Sequence, residues 1–227
     1  MIRQAAAAFG ALLLATALTP SSAVAGISGD SGEWESDKSG SLGINGGLYY
    51  PVDTDLQSVY GTNGLLQWNL NLGYRIVDIF KIDAGAFLLI DRGNPLGQLT
   101  DDSSAETSTL SLLGFNLGPV LRLDFFEEQP IVPYGGVGLT WALFKEQVGD
   151  DAEAVVGDKS GWYYSVGLEL LLDRFEPTRA ADLDISRGIN DTYLTLEYRH
   201  QVLTEVGETS QLDFTSENVT IGLKFDF

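Results

Sequence analysis

From Gly40 onward the chain repeats one pattern, a segment of 9–14 residues in alternating phase followed by a polar connection rich in Gly or Asp. Successive side chains of a strand point to opposite faces, so each such segment has one apolar and one polar face. The clearest case is Leu66-Gln67-Trp68-Asn69-Leu70-Asn71-Leu72-Gly73-Tyr74-Arg75, in which every even position is apolar or aromatic and every odd one polar or glycine. Ile82, Ala84, Ala86, Leu88 and Ile90 alternate with Lys81, Asp83, Gly85, Phe87 and Leu89, and Leu117, Pro119, Leu121 and Leu123 with Gly118, Val120, Arg122 and Asp124. The last segment sets Val219, Ile221, Leu223, Phe225 and Phe227 against Thr220, Gly222, Lys224 and Asp226.

Taken along the chain, the pattern predicts eight strands near 40–50, 65–76, 80–91, 107–124, 131–145, 162–173, 191–203 and 214–227. In the fourth, the apolar phase slips between Leu110-Leu112 and Leu117-Leu121, which predicts a β-bulge near Gly114. Segments 51–64, 92–106, 146–161 and 204–213 are expected as loops at one end, and 77–79, 125–130 and 174–190 as turns at the other. The last turn is long, and the stretch from Pro177 to Ile189 is expected either to hold a short helix or to fold under the barrel.

The polar face separates a soluble sandwich or ligand-binding barrel from a membrane one. It carries Gly, Thr and Ser with ions of both signs in mid-segment: Lys81, Asp83, Arg122, Asp124, Glu169, Glu197 and Arg199. Glycine suits an exposed strand poorly, whereas small side chains fit the filled interior of an eight-stranded barrel. The apolar face therefore looks out to lipid. The aromatics support this, falling into two sets at opposite strand ends. One set is Tyr49, Trp68, Trp141, Phe144, Trp162, Tyr163, Tyr164 and Tyr198. The other is Tyr74, Phe80, Phe125, Phe126, Tyr134, Phe175, Tyr193, Phe225 and Phe227. Paired aromatic girdles mark the two interfaces of a transmembrane barrel.

At the N-terminus, Arg3 precedes an apolar run from Ala5 to about Leu18, then Pro20 and the small-x-small triplet Ala23-Val24-Ala25. The run is shorter than the ~20 residues of a spanning helix and has the layout of a signal peptide cleaved before Gly26. The expected organisation is a signal peptide at 1–25, a flexible polar segment at 26–39 and one β-barrel domain at 40–227. No later run is apolar for 18 residues, which excludes a helical membrane protein.

Without residues 1–25 the chain keeps 12 Lys and Arg against 32 Asp and Glu. So acidic a chain is repelled by nucleic acid. It has no cysteine and a single histidine, His200, which excludes thiol chemistry and a multi-histidine zinc site. The barrel interior is expected to hold a charge network in which Glu169 and Glu197 pair with Arg122, Arg199 and Lys224, since buried charges need partners.

Two motifs carry a family resemblance: Pro133-Tyr134-Gly135-Gly136-Val137-Gly138-Leu139, and the final strand Val219 to Phe227 with its aromatic end. They resemble the small outer-membrane β-barrel family, the OmpA/OmpX-like proteins, across nearly the whole mature chain. The resemblance implies an all-β fold, a single closed antiparallel up-and-down transmembrane barrel of about eight strands in the cell outer membrane. It also implies that Phe225 and Phe227 act as a signal to the barrel-assembly machinery.

Barrels of this kind that cleave lipid A use a His-x-Ser pair with a nearby Glu. Here the pair is His200-Gln201-Val202, without the hydroxyl, and Ser210 and Ser216 are the alternatives that folding could bring close. An omptin-like protease would need a longer barrel with a richer catalytic rim. No catalytic, cofactor-binding or metal-binding residue is assigned. Asp101, Asp102, Asp150, Asp151, Asp158, Glu205 and Glu208 make acidic outer loops that suit diffuse binding of divalent cations. Outer-membrane lipid and lipopolysaccharide are the other expected partners. The function expected is a non-enzymatic structural or surface-interaction role, and the alternative is a small, weakly cation-selective, porin-like channel.

Overall fold

The computed structural model describes residues 39–77, 79–93, 108–126, 129–148, 154–175, 183, 185–204 and 213–227. All of them belong to the unit Asp37–Phe227. Eight strands run β1 (Gly40–Pro51), β2 (Leu65–Val77), β3 (Phe80–Gly93), β4 (Ser108–Arg122), β5 (Ile131–Val148), β6 (Val155–Leu171), β7 (Asp191–Leu203) and β8 (Ser216–Asp226). Each pairs with the next, and β8 returns to β1, giving a closed antiparallel barrel in meander order. Closure leaves no backbone edge along the paired wall, the condition for strands in lipid. Among the described residues no helix is long and apolar enough to cross a membrane.

Alternation decides which side chains enter the barrel. Leu66, Trp68, Ile82, Leu88, Leu117, Leu139, Val166, Leu168, Leu196 and Ile221 are exposed on the outer wall. Their neighbours in sequence, among them Gln67, Asn69, Lys81, Asn116, Thr140, Glu169, Thr195 and Thr220, are buried inside. The inward glycines follow from the narrow bore. A Cβ on Gly114 would lie 2.0 Å from the Phe87 ring, and one on Gly47 would lie 2.1 Å from the Val219 carbonyl oxygen of the neighbouring strand.

Four expectations need correction. The bulge near Gly114 is absent: β4 keeps one register with β3 and with β5 across its whole length. Ser108, Leu110, Leu112, Gly114, Asn116, Gly118, Val120 and Arg122 all face inward, so the apparent slip is a change in what fills the interior, apolar at one end and polar at the other. Second, segment 146–161 is not a loop throughout. The β5–β6 hairpin continues to Val148 and starts again at Val155, because Gly157 and Lys159 keep the inward phase while Val156 and Asp158 keep the outward one.

Third, segment 51–64 contains a helix, α1 (Thr54–Tyr60). Asp53 caps it, accepting from the Asp55 amide at 2.8 Å, and Gly61 ends it at φ 90° with its amide on the Gln57 carbonyl. Fourth, the aromatic sets divide by face. Trp68, Trp141, Trp162 and Tyr164 are exposed on the wall toward the end that carries α1, and Tyr74, Phe80, Phe125, Phe126, Phe175 and Phe227 toward the other. Tyr49, Phe144, Tyr163 and Tyr193 are buried inside, and Tyr134 also points inward, its hydroxyl donating to Glu197.

In the long turn, Asp173–Phe175 form a 3₁₀ turn and residues 183 and 185–187 are helical. Residues 1–38, which hold the expected signal peptide, lie outside the described residues, as do Pro177, Asp101, Asp102, Asp150, Asp151, Glu205, Ser210 and Glu208.

Candidate functional site: the barrel interior

The interior is filled in two tiers. In the tier toward the 77–79, 125–130 and 174–190 turns, the inward phases of β4, β6 and β8 bring Arg122, Glu169 and Lys224 together. Arg122 Nε donates to Glu169 Oε2 at 2.8 Å, and Lys224 Nζ donates to both Glu169 oxygens at 3.0 Å. Asp226 extends the cluster, 3.0 Å from Lys224, 3.5 Å from Arg122 and 3.4 Å from Arg75. Arg122 also meets Asp124 at 2.9 Å. The Tyr193 ring lies beneath both cations, 4.8 Å from the Arg122 guanidinium carbon and 5.1 Å from Lys224 Nζ.

A second cluster lies beside the first. Arg199 pairs with Glu197 at 2.9 Å and lies 4.7 Å over the Tyr163 ring, while Lys81 pairs with Asp83 at 3.0 Å. Of the five charges expected to form one network, the structure thus groups Arg122, Glu169 and Lys224 separately from Glu197 and Arg199. Between the groups is a cavity of about 40 Å³, lined among others by Lys81, Asp83, Glu169, Glu197, Arg199 and Lys224. At ~10–15 Å³ each it has room for a few waters, and not for a solute.

Neutral polar groups fill the bore beside and beyond the charges, Thr195 standing on β7 between Tyr193 and Glu197 and opposite Glu169 in register. Thr195 donates to Asn45 at 2.9 Å, Gln67 to Asn69 at 2.5 Å and Asn218 to Ser216 at 3.2 Å. Beyond them, toward the end that carries α1, apolar side chains make up most of the filling. Tyr49, Leu65, Phe87, Leu89, Leu110, Leu112, Ala142, Phe144, Leu203 and Phe214 form one buried cluster. Phe144 and Phe214 rings are 5.0 Å apart, and the Tyr49 hydroxyl donates to the Phe214 carbonyl at 2.6 Å.

Helix α1 closes this plug. Leu56 and Tyr60, four positions apart and so on one helix face, are buried in the cluster. The Tyr60 hydroxyl donates to Glu146 at 2.7 Å and is 2.8 Å from the Ser108 hydroxyl. Burial pushes the Tyr60 pKa above the ordinary value of 10, with the Ser108 bond lowering it and Glu146 raising it further. The apolar plug was not foreseen from the sequence, although Phe87 and Leu89 stand in the inward phase of β3.

His200 faces outward. Its ring stacks on Tyr164 at 5.3 Å and lies 6.2 Å from Trp162, and in register it stands opposite Glu217 of β8. Ser216, one residue before Glu217, points the other way and is fully buried inside the barrel, so it brings no hydroxyl to His200.

Residues 9–227 match the family model described as the outer membrane protein beta-barrel domain. Neisserial surface protein A has a similar fold, with a TM-score of 0.52 at 12% identity, covering 83% of this chain and 97% of that one. Ail of Yersinia pestis, solved with the heparin analogue sucrose octasulfate, gives 0.47 at 14% identity over 84% and 97%. The N-terminal β-barrel domain of Pseudomonas aeruginosa OprF gives 0.43 at 10% identity over 82% and 97%. No curated protein matches the sequence.

Proposed function

The chain belongs to the outer-membrane protein β-barrel family and so resides in the outer membrane; from that premise we propose that it is a sealed, non-catalytic anchor that presents acidic segments at the cell surface. The observation that carries this is the filled bore. An ion crossing the barrel would have to pass Glu169 with its two cations and then the buried cluster that Leu89, Leu110, Leu112 and Phe144 form with Tyr49, Leu65, Leu203 and Phe214. Apolar constrictions of this kind exclude hydrated ions. The role is accordingly structural, or one of contact with an external partner.

The envelope supplies the other partners in this reading. Residues 1–25 direct export and are removed, and Phe225 and Phe227 engage the barrel-assembly machinery. The outer wall meets lipid and lipopolysaccharide. Asp158 at the β6 end, with Asp101, Asp102, Asp150, Asp151, Glu205 and Glu208 of the connecting segments, gathers divalent cations loosely. Planar-bilayer recording of the refolded mature chain separates the anchor from a weakly cation-selective channel. The anchor gives no discrete current steps. Cation-selective steps that change when Glu197 is neutralised would replace it with the channel.

A further inference from the structure

Aromatic side chains stand on the outer wall in more than one place: Phe115 of β4 and Trp141 of β5 stack at 5.8 Å, and a longer run lies on β6 to β8. Along β6 the outward residues run Asp158, Ser160, Trp162, Tyr164, Val166, Leu168, passing from polar through aromatic to aliphatic. On β7 and β8, His200, Tyr198 and Glu217 occupy the same intermediate level. The rings form one continuous ledge: Trp162 to Tyr164 is 6.2 Å, Tyr164 to His200 5.3 Å and Tyr164 to Tyr198 6.5 Å. Glu217 is exposed at its rim. Trp68, the outer-end tryptophan on β2, has the aliphatic side chains of Leu66 and Leu88 for exposed neighbours.

We propose that this ledge is a lateral binding site for the sugar headgroup of an outer-leaflet glycolipid. The proposal rests on the outer end of the barrel lying in the outer leaflet, where the aliphatic wall gives way to headgroups. Trp162 is half exposed and Tyr164 over a third, so both offer ring faces and a polar tip at that depth. A sugar ring presents C–H bonds to such a face and hydroxyls around its edge. Glu217 accepts from those hydroxyls and His200 donates or accepts beside it. The Glu217 carboxylate repels phosphate, so recognition falls on the sugar and not on anionic groups attached to it. Ser216, the serine of β8, is turned into the barrel and brings no hydroxyl to His200.

The refolded full chain in detergent micelles is titrated with purified lipid A, with lipid A stripped of its phosphates, and with phosphatidylethanolamine, and bound lipid is counted by native mass spectrometry. One lipid A per barrel is expected, retained after phosphate removal and not displaced by phosphatidylethanolamine. Trp162→Leu/Tyr164→Leu, which keeps the wall apolar, should weaken binding at least tenfold, while Trp68→Leu leaves it unchanged. Equal binding by the double variant, equal loss in Trp68→Leu, or loss on removing the phosphates would overturn the proposal. A barrel that fails to run as a compact, heat-modifiable species on gels would instead count against the membrane-barrel reading itself.

Discussion

Glu169 is the point at which the polar tier is most exposed to a single substitution. Its carboxylate is 1% exposed and holds Arg122 and Lys224, whose side chains are 2% and 7% exposed. Glu169→Gln keeps the shape and removes the charge, leaving two buried cations with less compensation. Removing one partner of a buried pair costs about 3–5 kcal/mol. Here Asp226 stays 3.0 Å from Lys224 and Asp124 2.9 Å from Arg122, which puts the cost near the lower end, about 3 kcal/mol. With a urea dependence of about 2 kcal/mol per M, the unfolding midpoint should fall by about 1.5 M. The assay is reversible urea unfolding from lipid vesicles, followed by tryptophan fluorescence. Adding Lys224→Met removes the surplus cation, so the double variant should recover roughly half of the loss, a coupling of the size seen for residues in one network. A midpoint shift below about 0.3 M, or strict additivity of the two substitutions, would refute the claim that these charges depend on one another.

The apolar tier and its cap are tested separately. Leu112 is fully buried in the plug, and Leu112→Ala should cost about 3 kcal/mol through lost burial and the cavity it leaves, read in the same urea assay. Tyr60→Phe removes the hydrogen bonds to Glu146 and Ser108 and should weaken α1 docking by about 1–2 kcal/mol, seen as faster amide exchange in 54–60 without a change in the strands. The same residue gives a pH dependence. The docked Tyr60 hydroxyl titrates above the ordinary value of 10 while an undocked one titrates near it. Docking is therefore fully supported below pH 10 and weakens as the pH rises beyond it, because only the undocked side chain releases its proton. Amide exchange of α1 should accelerate above pH 10 in the native chain by more than in Tyr60→Phe; identical profiles would remove Tyr60 from the latch.

The fold was legible because its determinant is local. Alternation with period two marks a strand without knowledge of its neighbours, and Trp68, Leu70 and Leu72 already state which face is apolar. What the sequence concealed depends on register or on a second period. The slip at Leu110-Leu112 looked like a bulge because the inward face was assumed polar throughout; the register shows one unbroken phase whose contents change with height in the barrel. Helix α1 sat inside an expected loop, although Asp53 as cap and Leu56 with Val59 and Tyr60 at spacings of three and four form a helical signal. The grouping of Arg122, Glu169 and Lys224 depends on the stagger of β4, β6 and β8, which are not neighbours in the barrel, whereas Glu197 and Arg199, two apart on β7, share a face by alternation alone.

The chain contains no cysteine, so single cysteines report on the sealed barrel directly. Asp158→Cys at the outer end, Ala142→Cys in the plug, where Ala142 is fully buried, and Arg174→Cys in the opposite turn are each treated with a membrane-impermeant maleimide on intact cells. A plugged barrel with its outer end at the surface predicts rapid labelling at 158, none at 142, and labelling at 174 only after the outer membrane is permeabilised. Labelling of 142 at the rate of 158 would mean an open lumen, and labelling of 174 on intact cells would mean the opposite orientation.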